Sequence, residues 1–364
     1  MKRIAVFLHT IKLSMSLLMK YSSLSLSLIL FFRAEVWAQS AGSPPGSPVN
    51  FSFDGLITRI LDDTYDCKFD EALTKSDDLI AAFPDNPEGY LYKSGICWKM
   101  LEEGCVESRD STKREIKVLI DKACELSERE LDAHPGDTMA YFHYAGSLAY
   151  RAGFEAISHD WLAVMSDGIN AKKMLEKTIE IDSNFYDAYS GLGAFNYYAS
   201  HIPWYLKPLA FVVGVRGNED VGIAQLKKAA QFGKHAKIEA SVFLATVVYV
   251  NEEDYSDAAK LLVELHRQFP DNLDFTRDLC RDYYEMQKFN EAIRCADAAL
   301  SMDDPVGMCH RKSVSYIRFY RGKSYERLNE RNKAIADYEV VVKLDGDAYS
   351  GREAKAALEK LRTQ

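Results

Sequence analysis

The sequence predicts an all-α fold, an elongated array of repeated helix-turn-helix units. Three observations predict it. A small residue returns at a fixed slot, and two clear copies, Ala258 and Ala292, are 34 residues apart. Several units end in a proline about twelve residues after that slot, at Pro84, Pro135 and Pro270. The composition suits helices, with only 10 prolines and 20 glycines in 364 residues against 47% hydrophobic and 27% charged positions.

Taken in order, residues 1–38 read as a signal peptide. Met1-Lys2-Arg3 is basic, "SLSLSLILFF" (23–32) is apolar, and Val36-Trp37-Ala38 offers small residues for cleavage before Gln39. A start at Met19 gives a signal of ordinary proportions, so we expect the true start there. The alternative is an uncleaved N-terminal anchor, because Arg33 and Glu35 crowd the cut. "QSAGSPPGSPVN" (39–50) has the Pro/Gly/Ser composition of a disordered linker.

About seven units follow over 51–348. The small slot recurs at Ala72, Ala123, Ala171, Gly222, Ala258, Ala292 and Ala334. A small residue is needed where two antiparallel helices cross closely. Gly193 and Gly222 supply both sides of one such crossing, with Tyr189 and Leu192 filling the space beside it. The terminal proline stops the second helix and sets the turn to the next unit. In period, small residues and terminal proline together, residues 53–348 resemble the tetratricopeptide repeat (TPR) family. The resemblance implies a right-handed superhelical solenoid whose first helices line a concave wall, with a polar capping helix at 349–364.

The spacing is uneven. It is 51, 48 and 51 from Ala72 through Ala123 and Ala171 to Gly222, then 36 and 34, and 42 from Ala292 to Ala334. The extra residues fall between the first and second helices of units two to four, and predict longer helices and connections projecting on one side. Segments such as "YFHYAGSLAYRAGFEA" (141–156) and "DAYSGLGAFNYYAS" (187–200) resemble a subset of exported bacterial TPR proteins. They are also similar, less closely, to a mitochondrial outer-membrane TPR family.

The insert of unit four, "IPWYLKPLAFVVGV" (Ile202–Val215), is too short and too proline-broken to span a bilayer. Three readings compete: a lid buried under its own repeats, an exposed patch for a partner or oligomer contact, and a membrane-surface contact with Trp204 and Tyr205 at headgroup level. The two prolines and "GVRGNED" favour the folded-back lid.

The expected function is protein–protein binding, as an exported scaffold or adaptor in the periplasm or cell envelope. A membrane-peripheral protein held by its N-terminus or by 202–215 is the alternative. Slots that usually face inward supply apolar anchors at Trp98, Tyr150, Tyr197 and Tyr198, and a basic-aromatic set at Arg277, Arg281, Tyr284 and Arg327. Such a wall suits an extended peptide or amphipathic helix with acidic positions. A net charge of −9 argues against nucleic-acid binding. No catalytic or metal-ligating spacing occurs, and no cofactor is expected. "SHDW" (158–161) cannot converge on one substrate atom, and "GVRGNEDVG" (214–222) lacks a phosphate-binding pattern. Seven cysteines leave at least one thiol unpaired in a monomer. Cys280 and Cys295, on facing helices of one unit, are the pair considered for a bridge.

Overall fold

In the computed structural model, which describes residues 53–301 and 308–363, helices follow one another as antiparallel pairs. The first pair is α1 (Phe53–Tyr65) and α2 (Phe69–Ala82). Next come α3 (Pro87–Glu103) with α4 (Arg109–Ala133), and α5 (Thr138–Ile157) with α6 (Trp161–Ile181). In the fourth unit α7 (Ala188–Ser200) and α9 (Glu219–Phe232) flank a short insert helix, α8 (Lys207–Val213). The fifth pairs α10 (Lys237–Phe243), continued through a π-helical stretch (Leu244–Val248) into α11 (Tyr249–Asn251), with α12 (Tyr255–Gln268). Then come α13 (Leu273–Glu285) with α14 (Phe289–Leu300), and α15 (Arg311–Arg327) with α16 (Arg331–Asp345). A last helix, α17 (Tyr349–Thr363), covers the C-terminal end. Among the described residues this is an all-α repeat solenoid of seven helix pairs. The signal peptide and linker expected before residue 51 lie outside the described residues.

Local chemistry explains the punctuation. The first-helix N-termini are capped by Asn86, Asp137 and Asn272, whose side chains accept from the backbone N–H two residues on. The turn inside a unit reverses the chain through one left-handed residue: Cys67, His159, Glu253, Gln287 or Asn329, with φ of 57–60°. In unit two Gly104 does this at φ 80°. Most L-residues pay about 1 kcal/mol or more there, so helix packing on both sides must hold the turn. The wide spacing of the central units is taken up mainly as length. Helices α4, α5 and α6 have 25, 20 and 21 residues, against 13 and 12 in α13 and α14.

The small slots lie where predicted. Ala72, Ala123, Ala258, Ala292 and Ala334 have no exposed surface. At the crossing of α7 and α9 the backbones nearly touch, and a Cβ on Gly193 would sit 2.8 Å from the Gly222 carbonyl oxygen.

The superhelix closes on itself. The Tyr65 hydroxyl on α1 donates to Glu239 on α10 over 2.7 Å, and Asn272 Nδ2 donates to the Tyr65 carbonyl over 2.7 Å. The Tyr65 ring lies 5.2 Å from that of Phe269. Farther along, Lys99 pairs with Asp274, and a disulfide joins Cys105 to Cys309 across 204 residues. One continuous core therefore runs from Phe53 to Leu279. This bridge replaces the Cys280–Cys295 pairing considered from sequence. Those two thiols are neighbours but free, and burial, followed by a hydrogen bond to Cys295, pushes the Cys280 thiol up.

The insert of unit four is also corrected. Ala210 is buried, but Trp204, Phe211 and Val212 are 59%, 71% and 81% exposed, so it is no buried lid. A segment with prolines at 203 and 208 forms only two helical turns, too few to turn all its apolar side chains inward.

Candidate functional site: the concave face

The concave wall is built from the first helix of each unit, and it has two parts of different character. In the middle, α1, α3, α10 and α13 converge so tightly that only about 70 Å³ stays open, lined by Tyr65, Lys99, Glu103, Asn272, Asp274, Arg277 and Arg281 among others. That volume holds a few waters.

Its charges are spent internally. Helix α13 carries Asp274, Arg277, Asp278, Arg281 and Asp282, a spacing that puts all five on one helical face. Arg277 donates to Asp274 at 2.7 Å and to Asp278 at 3.0 Å. Arg281 donates to Asp278 at 3.1 Å and to Asp282 at 2.9 Å. Lys99 adds pairs to Glu103, at 2.8 Å, and to Asp274, which also accepts from Ser313. Burial raises the cost of ionising Asp274, yet Arg277 and Lys99 outweigh it and hold the carboxyl well below its ordinary range. Burial instead wins at Asp282, which rises to about 7 despite Arg281. Burial likewise lifts Glu239 to about 8, against the lowering effect of its Tyr65 hydrogen bond.

The expected apolar anchors are core residues. Trp98, Tyr150 and Tyr197 are each 1% exposed. Trp98 Nε1 donates to Glu102 at 3.0 Å, and its ring meets Phe154 edge-on at 6.1 Å. Tyr197 accepts from Asn251 and stacks on His201. Half-buried Tyr198 lies against Phe243. The wall closes over these rings, so none of the first three is presented to a partner. Arg277 and Arg281 already carry intramolecular carboxylates and do not stand as free clamps. The inward slots were read as if each unit left them open; packing of the next unit on Trp98 and Tyr197, and the tight winding that brings Tyr65 to Glu239, turn them into interior.

The second part, in units six and seven, remains a surface. The Lys323 ammonium sits 4.2 Å from the Tyr284 ring centre and within 5.5 Å of Tyr320 and Phe319. Exposed Arg327 lies over Phe289 at 5.0 Å. Among the described residues neither cation forms an ion pair with a carboxylate. Tyr284 and Arg327 are thus the predicted site residues that stay together at a reachable surface, and Lys323 joins them.

The residues that close the chamber went unread. Asp278 and Asp282 were legible, since each follows an Arg directly and carboxylates one or three positions away neutralise it. Tyr65 and Glu239, 174 residues apart, leave no local signal.

A family model described as regulator of microtubule dynamics protein 1-3 matches residues 58–272, and a tetratricopeptide repeat model matches 249–305. No curated protein matches the chain. Among solved structures, YrrB, described as a TPR protein with an unusual peptide-binding site, is 16% identical, with 64% of this chain and 100% of that one covered, at a TM-score of 0.44. The C-terminal part of a TPR protein from Cytophaga hutchinsonii is 14% identical over 83% and 99%, at 0.43. PilF of Pseudomonas aeruginosa is 12% identical over 74% and 97%, at 0.41.

Proposed function

The chain belongs to the regulator of microtubule dynamics protein 1-3 family, and we propose that it is a protein-interaction scaffold that engages an acidic segment of its partner on the concave face of units six and seven. The observation that carries this is the state of the cations there. Lys323 and Arg327 are held over aromatic rings, not by carboxylates, so their charge is positioned but unspent. A cation over a ring keeps most of its electrostatic reach, and the rings add apolar contact for a peptide. Arg277 and Arg281, in contrast, would have to break part-buried intramolecular pairs to bind anything.

Export to the envelope is part of the proposal and rests on the residues of 1–38. Fractionation of cells producing the full chain, with sequencing of its N-terminus, tests it. The family's description names microtubule dynamics, so tubulin is the partner to offer only where fractionation finds the chain unexported.

The binding test is site-specific photocrosslinking with the probe at exposed Asn290, next to Phe289, which leaves Lys323 and Arg327 in place. We expect an adduct with an acidic partner, lost in Lys323→Glu and unaffected in the buried control Trp98→Phe. Equal capture by Lys323→Glu overturns the assignment.

A further inference from the structure

The outward face of the unit-four insert is the strongest unassigned surface, and the geometry points to it as a docking site for an anionic membrane surface. Three facts agree. Lys207, Pro208, Phe211 and Val212 project from one side of α8, and Trp204 joins them just before it; all are exposed. The opposite side, with buried Ala210 and half-buried Leu209 and Val213, holds the helix to the body, and α8 touches α6. A helix that turns Ala inward and Phe and Val outward is inverted relative to an ordinary surface helix.

The charge around this face identifies its occupant. In a chain of net charge −9, residues 202–216 contain Lys207 and Arg216 and no carboxylate. Both cations are exposed, and Arg216 reaches over the Phe211 ring at 5.9 Å. The nearest following acid, Glu219, lies 3.4 Å from His201. Exposed Phe and Val between cations, with Trp and Tyr beside them, is the composition of a segment lying in the headgroup region. There the rings enter the acyl boundary and the cations meet anionic lipid. Two turns of helix insert shallowly. Among the described residues no helix is long and apolar enough to cross a membrane. The contact is therefore peripheral, reversible and salt-sensitive.

The test uses the full chain, so anything contributed by the residues before 53 is common to every variant. Vesicles of equal parts phosphatidylserine and phosphatidylcholine, with brominated acyl chains, are compared with vesicles of phosphatidylcholine alone. We expect more quenching of tryptophan fluorescence by the anionic vesicles than by phosphatidylcholine alone, and a clear fall in that quenching in Trp204→Phe, over whatever Trp37 contributes to every variant. We also expect at least about a tenfold loss of co-sedimentation in Phe211→Glu/Val212→Glu. A smaller loss is expected in Lys207→Glu/Arg216→Glu, with circular dichroism unchanged because these side chains are exposed. Unaltered binding by the apolar double variant, or equal quenching in Trp204→Phe, overturns the proposal. So does a vesicle-free dimer that Phe211→Glu/Val212→Glu dissociates, which makes a second copy the occupant.

Discussion

The Tyr65 hydroxyl donates to Glu239 Oε1 over 2.7 Å, in a buried contact, and so ties the first described helix of the chain to its fifth unit. Removing the hydroxyl strands a buried carboxyl group. We expect Tyr65→Phe to cost about 1–3 kcal/mol in chemical denaturation.

The same pair sets a pH dependence. Burial raises Glu239 from the ordinary carboxylate value to about 8 in the folded protein. The folded state therefore holds a proton that the unfolded chain releases, and the stability linked to it is fully present in mild acid. It is lost as pH rises from the ordinary value through about 8. Glu239 Oε2 is buried without a hydrogen-bond partner, which fits a neutral carboxyl. Glu239→Gln should flatten denaturation midpoints across that interval and leave the variant more stable than wild type above pH 8.

Lys99 stands between Glu103 and Asp274 at 8% exposure. Lys99→Met leaves two buried carboxylates with one fewer cation, and about 3–5 kcal/mol of stability should go with it. A loss below about 1 kcal/mol, measured in urea, would show that Arg277 alone neutralises the site.

The Cys105–Cys309 bridge closes a loop of 204 residues. Its removal in Cys105→Ser/Cys309→Ser should cost about 2–5 kcal/mol, and a dithiol reductant should lower the wild-type melting temperature toward the variant's. Alkylation with and without reductant, read by peptide mass, should assign the pairing.

At the α7–α9 crossing, a Cβ on Gly193 falls 2.7 Å from Leu226 Cγ, 2.8 Å from the Gly222 oxygen and 2.9 Å from the Leu226 nitrogen. Two of those atoms are backbone and cannot rotate away. Gly193→Ala should cost about 1–3 kcal/mol, while Gly136→Ala, with open space around it, should cost little.

How much of this was readable before the structure divides by range. The helix pairs, the small crossings at Ala72 through Ala334 and the long central helices follow from period and spacing, because each unit contacts chiefly its neighbours. Gly193 opposite Gly222 is a local fact, and it was found. Trp98 and Tyr197 failed as surface anchors because the next unit covers them, Trp98 against Phe154 and Tyr197 against Asn251 and Phe243, while Tyr150 lies near Glu239, far along the chain. A slot that faces a groove in an open solenoid faces core in a tightly wound one, and superhelical pitch is not written in any single unit. The exposed Phe211 face was among the three readings of the insert but was not the favoured one, for a different reason. Apolar content alone does not say which side of a two-turn helix is held.

Closure also has a temporal side. An open repeat array can settle unit by unit as it leaves the ribosome. Here Tyr65 lacks its partners, and Lys99 its distant partner Asp274, until residues 239–275 have been made. At roughly 5–20 residues per second the early helices wait on the order of ten seconds or longer, with part of their buried face still wet. The nascent chain thus passes through a long interval as a half-wound coil with sticky inner surface. Its yield in the cell should respond to translation speed and chaperone supply more than that of an open solenoid of equal length.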